Sequence, residues 1–167
     1  MGLGDAAVRD ELAALLPRLR RFARSVARHR EDADDLVQTA IERALRHLDQ
    51  WQPGTRLDSW MFRIMKNAWI DEVRARARRD DVLAPEDAGL AVGVSEEPAR
   101  TARLSIAAAM IGLPEEQRLA VGLVLVDGMA YKDAAETLEI PIGTLTSRLA
   151  RGRMALQAAL GGPEGFQ

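Results

Sequence analysis

The sequence predicts an all-α chain built as two small helical domains, and three observations predict it. Alanine and leucine are abundant, while runs of β-branched residues are few. Apolar residues recur at three- and four-residue spacing through most of the 167 positions, the period of helices with one buried face. The composition then changes at Asp80–Glu97, DDVLAPEDAGLAVGVSEE, which holds six acids, no base, Pro85, Gly89 and Gly93. That stretch reads as a flexible linker. The expected division is a domain at 1–79, an acidic linker at 80–97, a domain at 98–160 and a Gly- and Pro-containing tail at 161–167. Free chains are then expected to sample several domain arrangements.

The first helix is expected from Asp5 to about Arg28. Leu12, Leu15, Leu16, Leu19, Phe22, Ala23 and Val26 form its apolar stripe, and Arg18, Arg20, Arg21, Arg24 and Arg28 crowd a side read as mostly solvated. Pro17 predicts a kink or a break into two helices. A second helix starts after Arg30, with Asp32 as its cap and Asp34 and Asp35 at the positive end of its dipole. Leu36, Val37, Ala40, Ile41, Ala44, Leu45 and Leu48 recur along it, and Asp35, Gln38, Thr39, Glu42, Arg43 and Arg46 face away. Asp34 and Asp35 could suggest a catalytic or metal site, but no matching ligand cluster accompanies them. Capping or a partner-binding face is the expectation.

A third helix is expected from about Leu57 to Arg79, with Thr55 or Asp58 near its start. Leu57, Trp60, Met61, Ile64, Met65 and Ala68 define a buried side, and Phe62, Trp69 and Val73 form a second apolar strip. A helix apolar round so much of its circumference should sit among neighbours. Arg63, Lys66, Asn67, Ile70 and Arg74 share the remaining, exposed and basic face, which ends in Arg74, Arg76, Arg78 and Arg79. Cations there offset the helix dipole, but four exceed that need and suit phosphate contact.

In the second half, Ala102 to Ile111 is expected to be helical. Pro114 fits a first helical position, with Glu115 and Glu116 in the first turn. Leu119, Val121, Leu123, Val124, Leu125 and Val126 supply a buried helix, which Asp127-Gly128 ends. Two helices with a tight turn follow. Lys132 to Leu138 carries Ala134, Ala135 and Leu138 on one face; Pro141 stops it, and a longer helix begins near Ile142. Leu145, Leu149, Gly152 and Leu156 mark the inner side of that helix. Thr144, Thr146, Ser147, Arg148 and Arg151 lie elsewhere on it, with Arg153 nearby and no acid from Ile142 to Leu160. This spacing is a helix-turn-helix signature, and the alternative is an αα-hairpin with a solvated basic face. In the first case Arg side chains reach guanine edges, and Thr and Ser reach bases or phosphates.

Composition sets the outer bounds. The hydrophobic fraction is 47% and the aromatic fraction 4%, so the cores are expected to be mainly aliphatic. The net charge of −2 excludes little beyond bulk coating of nucleic acid. No cysteine is present, which excludes disulfides and thiolate metal sites and is compatible with a reducing cytoplasm. Asp5, Asp10 and Glu11 precede the basic cluster, against the order of a signal peptide. No apolar run is long enough for membrane insertion. His29 and His47 stand apart, and no Walker-type or GxGxxG loop is found. No catalytic residue, metal or cofactor is expected, and the chain is read as a non-enzyme.

Taken in order, DADDLVQTAIERALRHLDQW, SWMFRIMKNAWIDEVRARARR and LPEEQRLAVGLVLVDGMAYKDAAETLEIPIGTLTSRLARGRMAL resemble bacterial extracytoplasmic-function (ECF) sigma factors over nearly the whole chain. The resemblance implies a region 2-like first domain and a region 4-like second one. It implies a dissociable initiation factor that binds core RNA polymerase, directs it to a two-element promoter and helps melt the DNA. Asp35, Gln38 and Glu42 would face the polymerase clamp helices. The loop from Trp51 through Thr55 to Asp58 would capture an unstacked minus-ten base, and Arg63, Lys66, Asn67, Arg74 and Arg78 would hold neighbouring DNA. Thr144, Thr146, Ser147, Arg148 and Arg151 would read the minus-thirty-five element. An anti-sigma factor is the further implied partner. Three positions depart from the family's habit: Glu139 stands for a frequent Gly in the turn, Thr146 for Lys and Gly152 for Ala. Two alternatives stay open at this point: a sigma-like decoy for an anti-sigma factor, and a simple helix-turn-helix repressor.

Overall fold

The computed structural model describes residues 3–81 and 98–161, with side chains described for 4–81 and 105–161. The linker and tail expectations therefore fall almost wholly outside the described residues. Among those described, the chain forms α1 (Leu3–Val26), α2 (Arg30–Arg46), a 3-10 turn (Leu48–Gln50), α3 (Leu57–Asp80), α4 (Pro98–Ile111), α5 (Glu115–Val121), a π-helical turn (Gly122–Val126), α6 (Tyr131–Leu138) and α7 (Ile142–Ala159). No strand occurs among them.

α1 does not break at Pro17. The proline cannot donate to the Ala13 carbonyl, but both residues lie on the exposed side, where water can take the freed group. Leu12, Leu19, Phe22 and Val26 are buried before and after it, and their packing holds the helix together. α2 begins at Arg30 with His29 as its cap residue and no side-chain capping bond. Asp32 therefore is not the cap; its carboxylate accepts from Arg76 at 2.7 Å. Leu45, assigned to the buried stripe, is 40% exposed, because α2 ends one residue beyond it.

α3 is central. One side carries Met61, Met65 and Ala68 in the core, and ion pairs to α2 flank it: Arg43 to Asp71 at 3.0 Å and Arg76 to Asp32. Its second apolar strip meets the later helices. Phe62 stands edge-on to Phe22 with ring centroids 5.6 Å apart, and Trp69 donates to Glu115. One hydrophobic cluster accordingly runs through α1–α3 and α4–α7 together. The two helical sets lie against each other here, rather than standing apart as a linker alone would allow.

The second set closes around Gly122 and Gly152. A Cβ on Gly122 would stand 3.0 Å from Phe22 Cε2 and from Ser25 Oγ; one on Gly152 would stand 2.8 Å from Val121 Cγ2. These glycines let α1 and α7 approach α5 and the π turn. The π turn widens the backbone path, and Leu125 and Val126 emerge 39% and 38% exposed instead of buried. α6 ends with Ile140 N–H donating to the Ala135 carbonyl at 3.1 Å and with Glu139 at φ 57°. That is the left-handed helix stop usually given to glycine.

Candidate nucleic-acid and polymerase interface

The three groups of candidate side chains differ in exposure and pairing. Asp35, Gln38 and Glu42 lie at i, i+3 and i+7 of α2 and are all exposed. The Gln38 amide donates to Glu42 at 3.2 Å. Gln38 and Glu42 border an open cleft of about 610 Å³ between α1 and α2, along with Arg20, Arg24, Arg30 and Asp34. The face is thus acidic along its crest and basic across the cleft.

The second group spreads along the head and flank of α3. Trp51 is half-buried, and its Nε1 has no hydrogen-bond acceptor among the described residues. Thr55 is tied into the preceding turn, its hydroxyl donating to the Gln52 carbonyl at 2.6 Å; Gly54 at φ 90° lets that turn form. Asp58 is already occupied. It accepts from Arg56 (2.8 Å), Arg18 (3.2 Å) and the Ser59 amide (2.8 Å). Burial alone would raise its carboxyl, but the bonds from Arg56, Ser59 and Arg18 hold it below the usual carboxylate range.

Arg63 and Asn67 are exposed as expected, but Lys66 is not: it is 4% exposed and lies 3.6 Å from the carboxylate of Glu139, the residue that follows α6. The reason is the docking of α6, which covers this part of α3 and also brings the Glu136 carbonyl within 3.3 Å of Arg63. Arg74 and Arg78 stay exposed further along. At 1.5 Å per residue the row from Arg63 to Arg78 spans about 22 Å. Arg76, in the basic run, is held by Asp32 and Glu72 and braces α2 against α3.

The third group keeps its expected geometry. Leu145, Leu149, Gly152 and Leu156 are buried, which turns Thr146, Ser147 and Arg151 outward and leaves Thr144 and Arg148 at the margin. The Thr146 hydroxyl donates to the Ile142 carbonyl at 2.9 Å. Arg148 reaches Glu116 at 3.6 Å. Arg148 would have to release a mostly exposed carboxylate to meet DNA, which is a small cost.

Sequence reasoning missed Arg18, Arg56 and Arg118. In the sequence Arg18 reads as one of the solvated arginines. Instead its guanidinium bridges Asp58 and Asp127, at 3.2 and 2.9 Å, 5.3 Å from the Phe62 ring centroid. Arg56 pairs with Asp58 and Asp133. Arg118 donates to the carbonyls of Val26, Met110, Ile111 and Leu113 at 2.9–3.0 Å. It thereby closes the C-terminal ends of α1 and α4, whose last carbonyls lack intrahelical partners. Nothing local in the sequence marks these roles, because each of the three also has a partner far along the chain, Asp127, Asp133 or Val26.

Comparison with known proteins agrees with this architecture. Residues 12–79 match the family described as Sigma-70 region 2, and residues 103–156 match Sigma-70, region 4. The ECF RNA polymerase sigma factor EcfG of Rhodopseudomonas palustris is 38% identical over 163 residues, covering 96% of this chain and 88% of that protein. The sigma factor RpoE of Bartonella quintana, solved in complex with the anti-sigma factor NepR, superposes with a TM-score of 0.76 at 31% identity, covering 91% of this chain and 95% of that one. CnrH, solved in complex with the cytosolic domain of CnrY, gives 0.71 at 25% identity, covering 93% and 88%. With both regions matched in order on an all-helical frame, this chain belongs to the ECF RNA polymerase sigma factors. Its family consists of transcription initiation factors, which are not enzymes. No helix among the described residues is long and apolar enough to cross a membrane.

Proposed function

We propose that the chain binds core RNA polymerase in the cytoplasm and brings it to a two-element promoter through three surfaces. The observation that carries the reading is the order of the two matched regions, each with its own exposed polar helix face. Residues 1–79 form the unit that meets polymerase and the minus-ten element; residues 98–160 form the unit that meets the minus-thirty-five element. Asp35, Gln38 and Glu42 on α2 dock on the polymerase. Trp51, Thr55 and Asp58, with Arg63, Lys66, Asn67, Arg74 and Arg78, handle the melted and flanking DNA. Base extrusion costs a few kcal/mol, so those polar contacts must offset it. Thr144, Thr146, Ser147, Arg148 and Arg151 on α7 enter the major groove. An anti-sigma factor, as in the RpoE–NepR complex, is the proposed inhibitory partner.

Run-off transcription with purified core polymerase, on the region upstream of its own gene and on a promoter panel, tests this. Protein-dependent transcripts from discrete starts are expected, and none would be formed by a decoy or a repressor. Asp35→Arg with Glu42→Arg should weaken core binding with helicity intact; unchanged binding would remove the docking assignment. Co-purification from native cells at modest salt should yield a small stoichiometric partner. Recovery of polymerase alone would count against the anti-sigma proposal.

A further inference from the structure

Resting on the reading of α7 as the helix that enters the groove, its side chains also define the kind of base edge it suits. The inner side of α7 is Leu145, Leu149, Gly152 and Leu156. Clear of that side, Ile142, Gly143, Thr146, Ser147 and Ala150 are all exposed, over the first turns of the helix, where a recognition helix meets base edges. Most of these side chains are short. The one large member, Ile142, is apolar and 52% exposed, and a Cβ added at Gly143 would meet nothing within 4 Å. The long basic side chains stand at the flanks: Arg148 is half-buried and turned toward Glu116, and Arg151 lies further along. No acid occurs from Ile142 to Leu160, so the flanks suit a groove walled by phosphates.

Thr146 makes the case specific. Its hydroxyl donates to the Ile142 carbonyl at 2.9 Å, the bond to residue i−4 that threonine makes within helices. The only proton of that hydroxyl is therefore engaged, and while the bond stands it is not available to guanine or thymine acceptors. The group that the exposed side chain still offers to a base edge is its γ-methyl. Ile142 lies four residues before Thr146 and Ala150 four residues after it, so the three share one edge of the helix. Along the axis they span about 12 Å, roughly three to four base pairs. Thymine is the base whose major-groove edge carries a methyl group.

We propose that the edge formed by Ile142, Thr146 and Ala150 reads thymine C5-methyl groups in the minus-thirty-five element, beside the bases that Ser147 and Arg151 meet through hydrogen bonds. Ile142 and Ala150 thereby join the specificity-determining residues, and Thr146 acts through its methyl rather than its hydroxyl.

Holoenzyme reconstituted from core polymerase and the full chain first selects its upstream element from a promoter library randomised there. Each thymidine of the selected element is then replaced in turn by deoxyuridine, which lacks only the C5-methyl, and binding is measured by competition. At one or more positions the affinity should fall about fourfold, the effect of one buried methyl. Thr146→Ser keeps the hydroxyl and its bond to the Ile142 carbonyl but removes the γ-methyl. It should bind the thymine promoter about fourfold less tightly and no longer distinguish uracil from thymine at one of those positions. Thr146→Val keeps the methyl and removes the hydroxyl, and it should retain both affinity and discrimination. The deoxyuridine series uses the wild-type chain, so the proposal stays open to refutation even if a variant loses helicity. Loss with valine and retention with serine would overturn the methyl reading. So would a selected element without thymine, or one indifferent to deoxyuridine at every position. If Arg151→Ala still weakens selection of the upstream element in those cases, the thymine proposal fails and the promoter reading of α7 stands. If Ser147→Ala and Arg151→Ala leave the selected element unchanged, or no upstream element is selected at all, α7 is not the reading helix and the thymine proposal falls with it.

Discussion

Arg118 shows how much one side chain can settle. Its guanidinium closes two helix ends from two halves of the chain. Arg118→Ala would leave four carbonyls without that donor, and the expected destabilisation is about 2–4 kcal/mol, read from the midpoint of urea unfolding at unchanged slope. Asp58 carries a pH signature. Its carboxyl is held below the ordinary value of 3.8, so the unfolded chain binds more protons in the interval between the two values. The stability it contributes is complete above the unfolded value and is lost as pH falls through the folded one. Asp58→Asn should flatten the fall in unfolding midpoint below about pH 4, measured in urea over a pH series. An equally steep fall in the variant would assign the acid sensitivity elsewhere.

At the scale of elements, α7 is where sequence patterning and structure agree most closely. Leu145, Leu149, Gly152 and Leu156 were legible as its inner face because a 3.6-residue period survives whatever packs against it. Glycine costs about 1 kcal/mol against alanine in a helix unless close packing compensates, and at Gly152 it does: an added Cβ would meet Val121 Cγ2 at 2.8 Å, and valine is stiff at χ1. Gly152→Ala should therefore destabilise the chain, by about 1 kcal/mol once the gain in propensity is set against overpacking, seen as a lower thermal midpoint. Pro17 predicts a kink or a break, and the break does not occur. A proline signals lost hydrogen bonding, but whether a helix ends there depends on which side the lost bond faces and on the packing beyond it.

At the scale of the whole molecule, a close approach at Gly122 joins the shared core and the ion pairs in holding the helical sets together. A methyl at Gly122 would stand 3.0 Å from the Phe22 ring and from Ser25. Gly122→Ala should wedge α1 from the π turn without touching an ion pair. The expected loss is about 1 kcal/mol, seen as a lower thermal midpoint, and an unchanged midpoint would show that the α1 contact gives way without cost.

The sequence by itself determined the helical class, the positions of most helices, the helix-turn-helix with its buried and outward faces, and the exposed acidic face of α2. These rest on local periodicity, turn residues and charge order, all readable within a window of some twenty positions. Only the tertiary structure decided that Arg18, Lys66 and Arg118 are withdrawn from solvent and that the exposed Arg56 pairs with Asp133. Each has a partner tens of residues away, Asp127, Asp133, Glu139 or Val26, and an arginine on a helix face looks the same in sequence whether it meets water, phosphate or a distant carboxylate. Glu139 joins both levels: the sequence marks it as out of place in a turn, and the folded chain supplies the lysine that accounts for it.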